Sequence, residues 1–339
     1  MRHRIIQILK ITGFLALGVL LLYLAFKGIA LDELGSIIRE ANFWWVGLSL
    51  IFLSLSFLSR ARRWVLLIEP LNYKPGLKNT FYSLMVGYLA NFALPRLGEV
   101  TRCVTLGKKE KIPVDSLFGT VIIERFTDLI MLIIILVILL ASWLEKFGGF
   151  FQDQVLVPLQ GKIIDTFGGT LIFWLIIAGS FLLIAILAFS FRKRLLNIGL
   201  IRKIWDIVIG VIEGLKSIYK MKRKWEFIFH SLFIWFCYIM MTWVLVFALK
   251  ETSHLQFIDG VFLLVVGGIA FTAPVTGGFG AYHWLISRAL NFVYGLSLEE
   301  GGAYAILTHE SNSLFTILVG AISFAIITGS MNKLKKSNA

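Results

Sequence analysis

The chain has 339 residues, 58% of them hydrophobic and only 16% charged, with a mean hydropathy of +0.83. Soluble domains are about 45–50% apolar and about 25% charged, so a string of soluble domains is excluded. A net charge of +13 would suit nucleic acid in a soluble protein, but here the excess lies in loops between apolar blocks, where it sets membrane topology; a nucleic-acid partner is excluded. Along the chain, a short basic start, Met1-Arg2-His3-Arg4, precedes an apolar run over 5–26. That run is too long for a signal peptide and no small-residue cleavage site follows, so it reads as an uncleaved first helix. Further long apolar runs occupy 43–59, 117–144, 170–191, 227–249, 258–273 and 303–328, with shorter ones at 81–94 and 281–293. A spanning helix needs roughly 20 apolar residues to cross about 30 Å of hydrocarbon.

Charge placement orients these runs. Assigning the N-terminus, 60–79, 96–118, 192–226 and the tail from 329 to the cytoplasm divides the Lys and Arg residues 26 inside to 6 outside, with Arg125 left in a span. That is a strong positive-inside signal and puts both termini in the cytoplasm of the plasma (inner) membrane. Segments 60–79 and 96–118 are both basic, yet only one short apolar stretch separates them. The stretch from 80 to about 107 is therefore predicted to enter and return, turning near Leu94-Pro95, because proline ends a helix and Gly98 allows a tight turn. A second break, 272–280, separates 258–273 from 281–293 and descends from the other face; whether 258–296 spans or re-enters is left open. Broken elements entering from opposite faces suggest an inverted repeat with a cavity at the midplane.

The fold expected is all-α: one polytopic transmembrane domain over 1–339, with about six full spans and two broken or re-entrant elements. In the 192–226 loop, apolar residues recur at helical spacing over 201–219 with charges largely on another face, which reads as an interfacial amphipathic helix. The two cysteines, Cys103 and Cys237, form no CxxC or metal spacing, and no HExxH or Walker-type glycine loop occurs. No catalytic residue, cofactor or metal is assigned.

The densest polar cluster runs from Asn91 to Arg102. If 97–107 is helical, Glu99 and Arg102 share a face, and Arg96 stands at the turn. Ionisable groups inside a membrane mark a pathway or a pair, and an arginine fork matches phosphate. Glu124, Arg125 and Asp128 begin the next span, as snorkelling anchors or as partners for Arg102 at the same depth. Arg60, Arg62 and Arg63 end the second helix on that same face of the membrane and read chiefly as topogenic charge, with one of them able to complete a basic pocket. His283 follows the second break. His309-Glu310 follows Gly301-Gly302, where the last helix could begin and leave both groups near the outer surface.

Three motifs in order, Asn91-x-x-Leu94-Pro95-Arg96-x-Gly98-Glu99, Glu124-Arg125-x-x-Asp128 and Pro274-x-x-Gly277-Gly278-x-Gly280, resemble the transmembrane region of the lysylphosphatidylglycerol synthases, a family of flippase-like membrane proteins. The resemblance covers nearly the whole chain. In the larger synthases a cytoplasmic domain transfers lysine or alanine from tRNA to phosphatidylglycerol, and the membrane half is associated with flipping the product. This chain ends at Ala339, so the resemblance implies a stand-alone flippase-like member without lipid aminoacylation. Other stand-alone relatives include an archaeal protein linked to dolichol-sugar transfer. The family pattern often has an acidic residue soon after the Gly-Gly-x-Gly turn; here Tyr282-His283 stands there, and no carboxylate role carries over.

The expected function is therefore movement of an anionic phospholipid or lipid-linked headgroup across the membrane. Arg96 and Arg102 would hold its phosphate, with Glu99, Glu124 and Asp128 balancing them, and Gly277, Gly278 and Gly280 would admit the headgroup to backbone N–H groups. Asn91, Pro95, Arg125, Pro274, His283 and Glu310 complete the candidate substrate-binding set. The alternatives are a glycosyltransferase-like enzyme acting on a polyprenyl lipid, with Glu99, Asp128 or Glu310 as base, and a non-catalytic membrane partner of a lipid synthase. Membrane lipids, a homo-oligomer and such a synthase are the partners considered.

Overall fold

The computed structural model describes residues 30–94, 97–157, 221–272 and 275–337, with Leu20 and Tyr23. The predicted helices over 5–26 and 170–191, the amphipathic segment 201–219, and Pro95, Arg96 and Pro274 lie outside these residues. Among the described residues there is no strand. The helices are α1 (Leu31–Arg39), α2 (Phe43–Ile68), α3 (Leu77–Ala93), α4 (Leu97–Glu110), α5 (Val114–Phe151), α6 (Lys224–Val244), α7 (Phe257–Ala270), α8 (Ala281–Tyr294) and α9 (Leu298–Ser337). Among the described residues, four stretches are long and apolar enough to span a bilayer: Phe43–Leu71, Val114–Gln154, Lys224–Ala248 and Leu298–Ser330. Two compact units divide the chain, residues 1–139 with 218–339 and residues 140–217; the contacts below lie in the first.

Local chemistry sets the helix starts. Asn42 accepts from Trp44 N–H at the head of α2, and Gln256 with Asp259 forms a capping box at α7. Ser297 and Glu300 do the same at α9, with contacts of 2.7 and 3.1 Å. On α5, Leu129, Ile130, Ile133, Ile134, Val137 and Ile138 are all exposed. Their helical spacing makes one continuous apolar face, as lipid contact requires. The inward faces of α2, α3, α6 and α9 meet in a cluster built on Leu53, Phe57 and Met85, edged by Tyr88, Met241 and Phe315.

Two short hairpins enter this bundle. In the first, α3 and α4 pack closely against each other, because Gly87 and Gly98 bring their backbones together: a Cβ on Gly87 would lie 2.8 Å from the Gly98 carbonyl oxygen. In the second, Gly267 on α7 receives the ring of Tyr282 on α8 in the same way. The hairpins open at opposite ends. At one end, Arg62 Nε bonds Glu226 at 2.7 Å and Lys109 Nζ bonds Ser330 at 2.6 Å, tying the end of α2 to the start of α6 and the end of α4 to the last part of α9. At the other, Asn42 N–H donates to Ala248 O at 2.8 Å and Ala30 N–H to Glu299 at 3.1 Å. Lys250 there bonds Glu40 at 2.9 Å, and that bond holds the Glu40 carboxyl below its ordinary value.

Helices of 17 and 14 residues reach only about 25 and 21 Å, short of the roughly 30 Å of hydrocarbon. The hairpins meet tip to tip: a Cβ on Gly277 would lie 3.3 Å from the ring of Phe92. Both therefore end inside the bundle. The stretch 258–296, left open by the sequence, re-enters.

Three expectations are corrected. Helix α2 runs nine residues past the apolar run that ended at 59, so Arg60, Arg62 and Arg63 lie inside it and not at its end; Arg60 and Arg63 are buried because carboxylates of α5 meet them. The basic loop placed at 192–226 stops short of 226, since α6 begins at Lys224. The last helix starts at Leu298, before Gly301-Gly302, because the Ser297–Glu300 box caps it there. Gly301 serves instead as a packing position, where a Cβ would fall 2.9 Å from the Cα of Ser287 on α8.

Candidate functional site

Where the first hairpin meets α2 and α5, five charged side chains are packed together. Arg60 and Arg63 share a face of α2, Arg102 comes from α4, and Glu124 and Asp128, one turn apart, come from α5. Arg102 Nη1 donates to both Glu124 oxygens at 3.0 and 3.3 Å. Arg60 bonds Asp128 through Nη2 and Tyr88 OH at 2.8 Å through Nη1. Arg63 Nη2 lies 2.8 Å from the other Asp128 oxygen. Glu124 is also 3.7 Å from Arg60 and 3.9 Å from Arg63. The Arg102 guanidinium sits over the Trp64 ring at 4.8 Å, and Trp64 is held by its own bond to Thr120 at 2.9 Å.

Three guanidinium groups thus face two carboxylates in a site where Arg63, Arg102 and Glu124 are essentially inaccessible. Nε of Arg60, Nε and Nη1 of Arg63, and Nε and Nη2 of Arg102 make no hydrogen bond. Buried charge is costly unless paired, and an unused buried donor costs about 1–3 kcal/mol. The net positive charge and the idle donors both favour an anion.

At the tip, Asn91 Oδ1 accepts from Gly98 N–H at 2.7 Å and caps α4 across the turn. Glu99 does not join Arg102, although they share a face. It pairs with Arg125 at 3.5 Å, and Arg125 is substantially exposed. Exposed pairs contribute little, so Arg125→Gln is expected to change stability by less than about 1 kcal/mol in thermal unfolding.

The second break is built differently. Gly277, Gly278 and Gly280 all have positive φ, the region L side chains avoid, and a Cβ on Gly278 would strike the Phe271 ring at 2.7 Å. The glycines thus serve the turn itself. The Gly277 carbonyl is already engaged, 2.7 Å from His309 Nε2. His309 Nδ1 lies 2.8 Å from Glu310 Oε2, and His283 Nε2 lies 3.2 Å from the same oxygen. Phe271, Phe279 and Tyr282 surround the His309 ring. Both histidines are buried, so His309 is not near the surface as expected.

Of the sequence candidates, the fold gathers Arg102, Glu124 and Asp128 into one network, Asn91 and Glu99 at its hairpin, and Gly277, Gly278, Gly280, His283 and Glu310 around the second tip. The sequence allows one of Arg60, Arg62 and Arg63 to complete a basic pocket, but it does not single out Arg60 and Arg63 together, nor Tyr88 or His309. The spacing of Arg60 and Arg63, matched by Glu124 and Asp128, was the available signal for the first two.

A helical bundle entered from both ends by short hairpins, with ionisable side chains buried beside their tips, defines a multi-pass membrane protein with an interior polar site. The chain belongs to the family described as the lysylphosphatidylglycerol synthase TM region, which matches residues 10–320. It is 23% identical to the UPF0104 membrane protein MJ1595 of Methanocaldococcus jannaschii over 97% of this chain and 98% of that one. It is 27% identical to the UPF0104 membrane protein MJ1078 of the same organism over 71% of this chain and 95% of that one. No solved structure matches the chain.

Proposed function

We propose that this protein moves an anionic phospholipid or lipid-linked headgroup across the plasma membrane, with the end that carries Lys109 and Arg62 in the cytoplasm. The observation that carries this reading is the arginine network, with its excess of guanidinium over carboxylate and its idle buried donors. Arg102 follows the first residue of α4 by five positions, about 7.5 Å along the helix from the hairpin tip. A headgroup phosphate reaching the tip would meet a guanidinium fork whose present partner, Glu124, it can displace as one anion displaces another. Arg96, next to the turn in sequence, would supply a further cation. Family membership supports a lipid as the substrate.

The test is translocation of headgroup-labelled phosphatidylglycerol in proteoliposomes. Arg102→Lys keeps the charge and removes the fork, and is expected to slow movement at least about tenfold, since a fork and a point charge are not equivalent partners for phosphate. Size-exclusion elution and unfolding temperature of the same preparation control for folding. Wild-type rates in Arg102→Lys and in Arg96→Ala would sink the assignment.

A further inference from the structure

We propose that His283, His309 and Glu310 form a binding site for a divalent first-row metal ion of the zinc class at the tip of the second hairpin. These residues come from two helices, 27 positions apart at their widest, so no sequence spacing announces them. Their candidate ligand atoms all lie within 4.8 Å of one another. Zinc binds histidine nitrogen and carboxylate oxygen at roughly 2.0–2.2 Å, which sets neighbouring ligand atoms about 3–3.5 Å apart in a tetrahedron. Two sides of the triangle, 2.8 and 3.2 Å, are already near that size.

The hydrogen bonding fixes the tautomer. His309 Nε2 is 2.7 Å from the Gly277 carbonyl, which can only accept, so Nε2 carries the proton. The neutral ring then turns the lone pair of Nδ1 toward a carboxylate oxygen, and the two repel unless a cation lies between them. His283 Nε2 faces the same oxygen. With its proton on Nδ1, His283 turns the Nε2 lone pair toward that oxygen too, and a divalent ion then accepts the lone pairs of all three atoms together. A ligating imidazole that donates its other N–H to a backbone carbonyl is the usual outer-shell arrangement at metal sites.

The surroundings suit an ion as well. Phe271, Phe279 and Tyr282 wall the His309 ring, while Glu310 remains about a third exposed and offers a way in. The ligand set is imidazole and carboxylate, which selects ions of zinc's class over magnesium or calcium. Three protein ligands leave a fourth position for water or another donor. His309 follows Leu298 by eleven residues, about 16 Å along α9, which is roughly half of the hydrocarbon thickness. The site shares no residue with the arginine network.

The experiment uses the full chain in detergent, stripped with chelator and then titrated with Zn²⁺ alone by calorimetry and with Co²⁺ alone by visible absorption. One Zn²⁺ per chain is expected, together with Co²⁺ ligand-field bands. Glu310→Gln and His283→Gln should abolish the bands and weaken Zn²⁺ binding by more than about 100-fold, because even outer-shell partners contribute 10–100-fold. Circular dichroism and elution volume show whether each variant is folded, and the two variants test the site from different helices. Equal binding in wild type and both folded variants would mark adventitious metal and overturn the proposal. So would a wild type that, after chelator treatment, takes up neither Zn²⁺ nor Co²⁺. Neither result bears on lipid movement, which is read separately.

Discussion

Glu124→Gln is expected to destabilise the protein by roughly 3–5 kcal/mol, the range for removing one partner of a buried ion pair. Glu124 is wholly inaccessible and is the only carboxylate that Arg102 contacts in the network. With it neutralised, Asp128 alone would face Arg60, Arg63 and Arg102. Glutamine keeps the shape and can still accept from Arg102, so the loss reports charge and not volume. The check is equilibrium unfolding in detergent, read through tryptophan fluorescence. Adding Arg102→Met to Glu124→Gln leaves two guanidinium groups against one carboxylate, the same excess as in the wild type. The double variant is therefore expected to regain much of the lost stability, a coupling that marks direct interaction. A single variant within about 1 kcal/mol of wild type would show that water or an ion already compensates Arg102.

Gly98→Val is expected to open the first hairpin. A Cβ at this position would fall on the Gly87 carbonyl oxygen and lie 2.7 Å from the Asn91 amide. Neither backbone nor cap can yield without separating α3 from α4, and the Asn91–Gly98 bond of 2.7 Å would go with them. Overpacking costs about 1–3 kcal/mol where side chains can shift, and backbone contact places this case at or above the top of that range. Gly119→Ala on α5 is the matched control, because nothing lies within 4 Å of its Cβ position. Its unfolding temperature should equal or exceed that of wild type, since alanine favours helix. Equal stability of Gly98→Val and Gly119→Ala would contradict the close crossing.

Much of this architecture was legible in the sequence, because the bilayer imposes simple rules on it. Long apolar runs mark spans, and two basic segments on either side of one short run force a re-entrant element. The turn near Leu94-Pro95 and the break at 272–280 follow from proline and glycine. What could not be read was the partner of each charge. Arg60 and Arg63 follow an apolar run, as topogenic charges do, and only tertiary structure distinguishes a solvated arginine from one meeting Asp128. Glu99 and Arg102 share a helix face, yet α5 supplies each with its own partner, Arg125 for the first and Glu124 for the second. The start of α9 is encoded locally: Ser297-x-x-Glu300 is a capping-box pattern, and Gly301-Gly302, which suggests a later start, lies inside the helix. His309 meets Gly277 only because the second tip folds against α9, and no local pattern encodes that.

The tip-to-tip meeting of the hairpins also has a mechanical consequence. A spanning helix transmits tension from one face of a bilayer to the other through a continuous ladder of hydrogen bonds. Here two short hairpins abut where the Phe92 ring rests on Gly277, and no covalent or backbone hydrogen bond among the described residues crosses that joint. The hairpin pair thus carries a seam perpendicular to its helix axes, inside a frame of continuous spans. A pull on one face can displace its own hairpin while the opposite one keeps its place, so the two halves of the membrane can be strained one at a time.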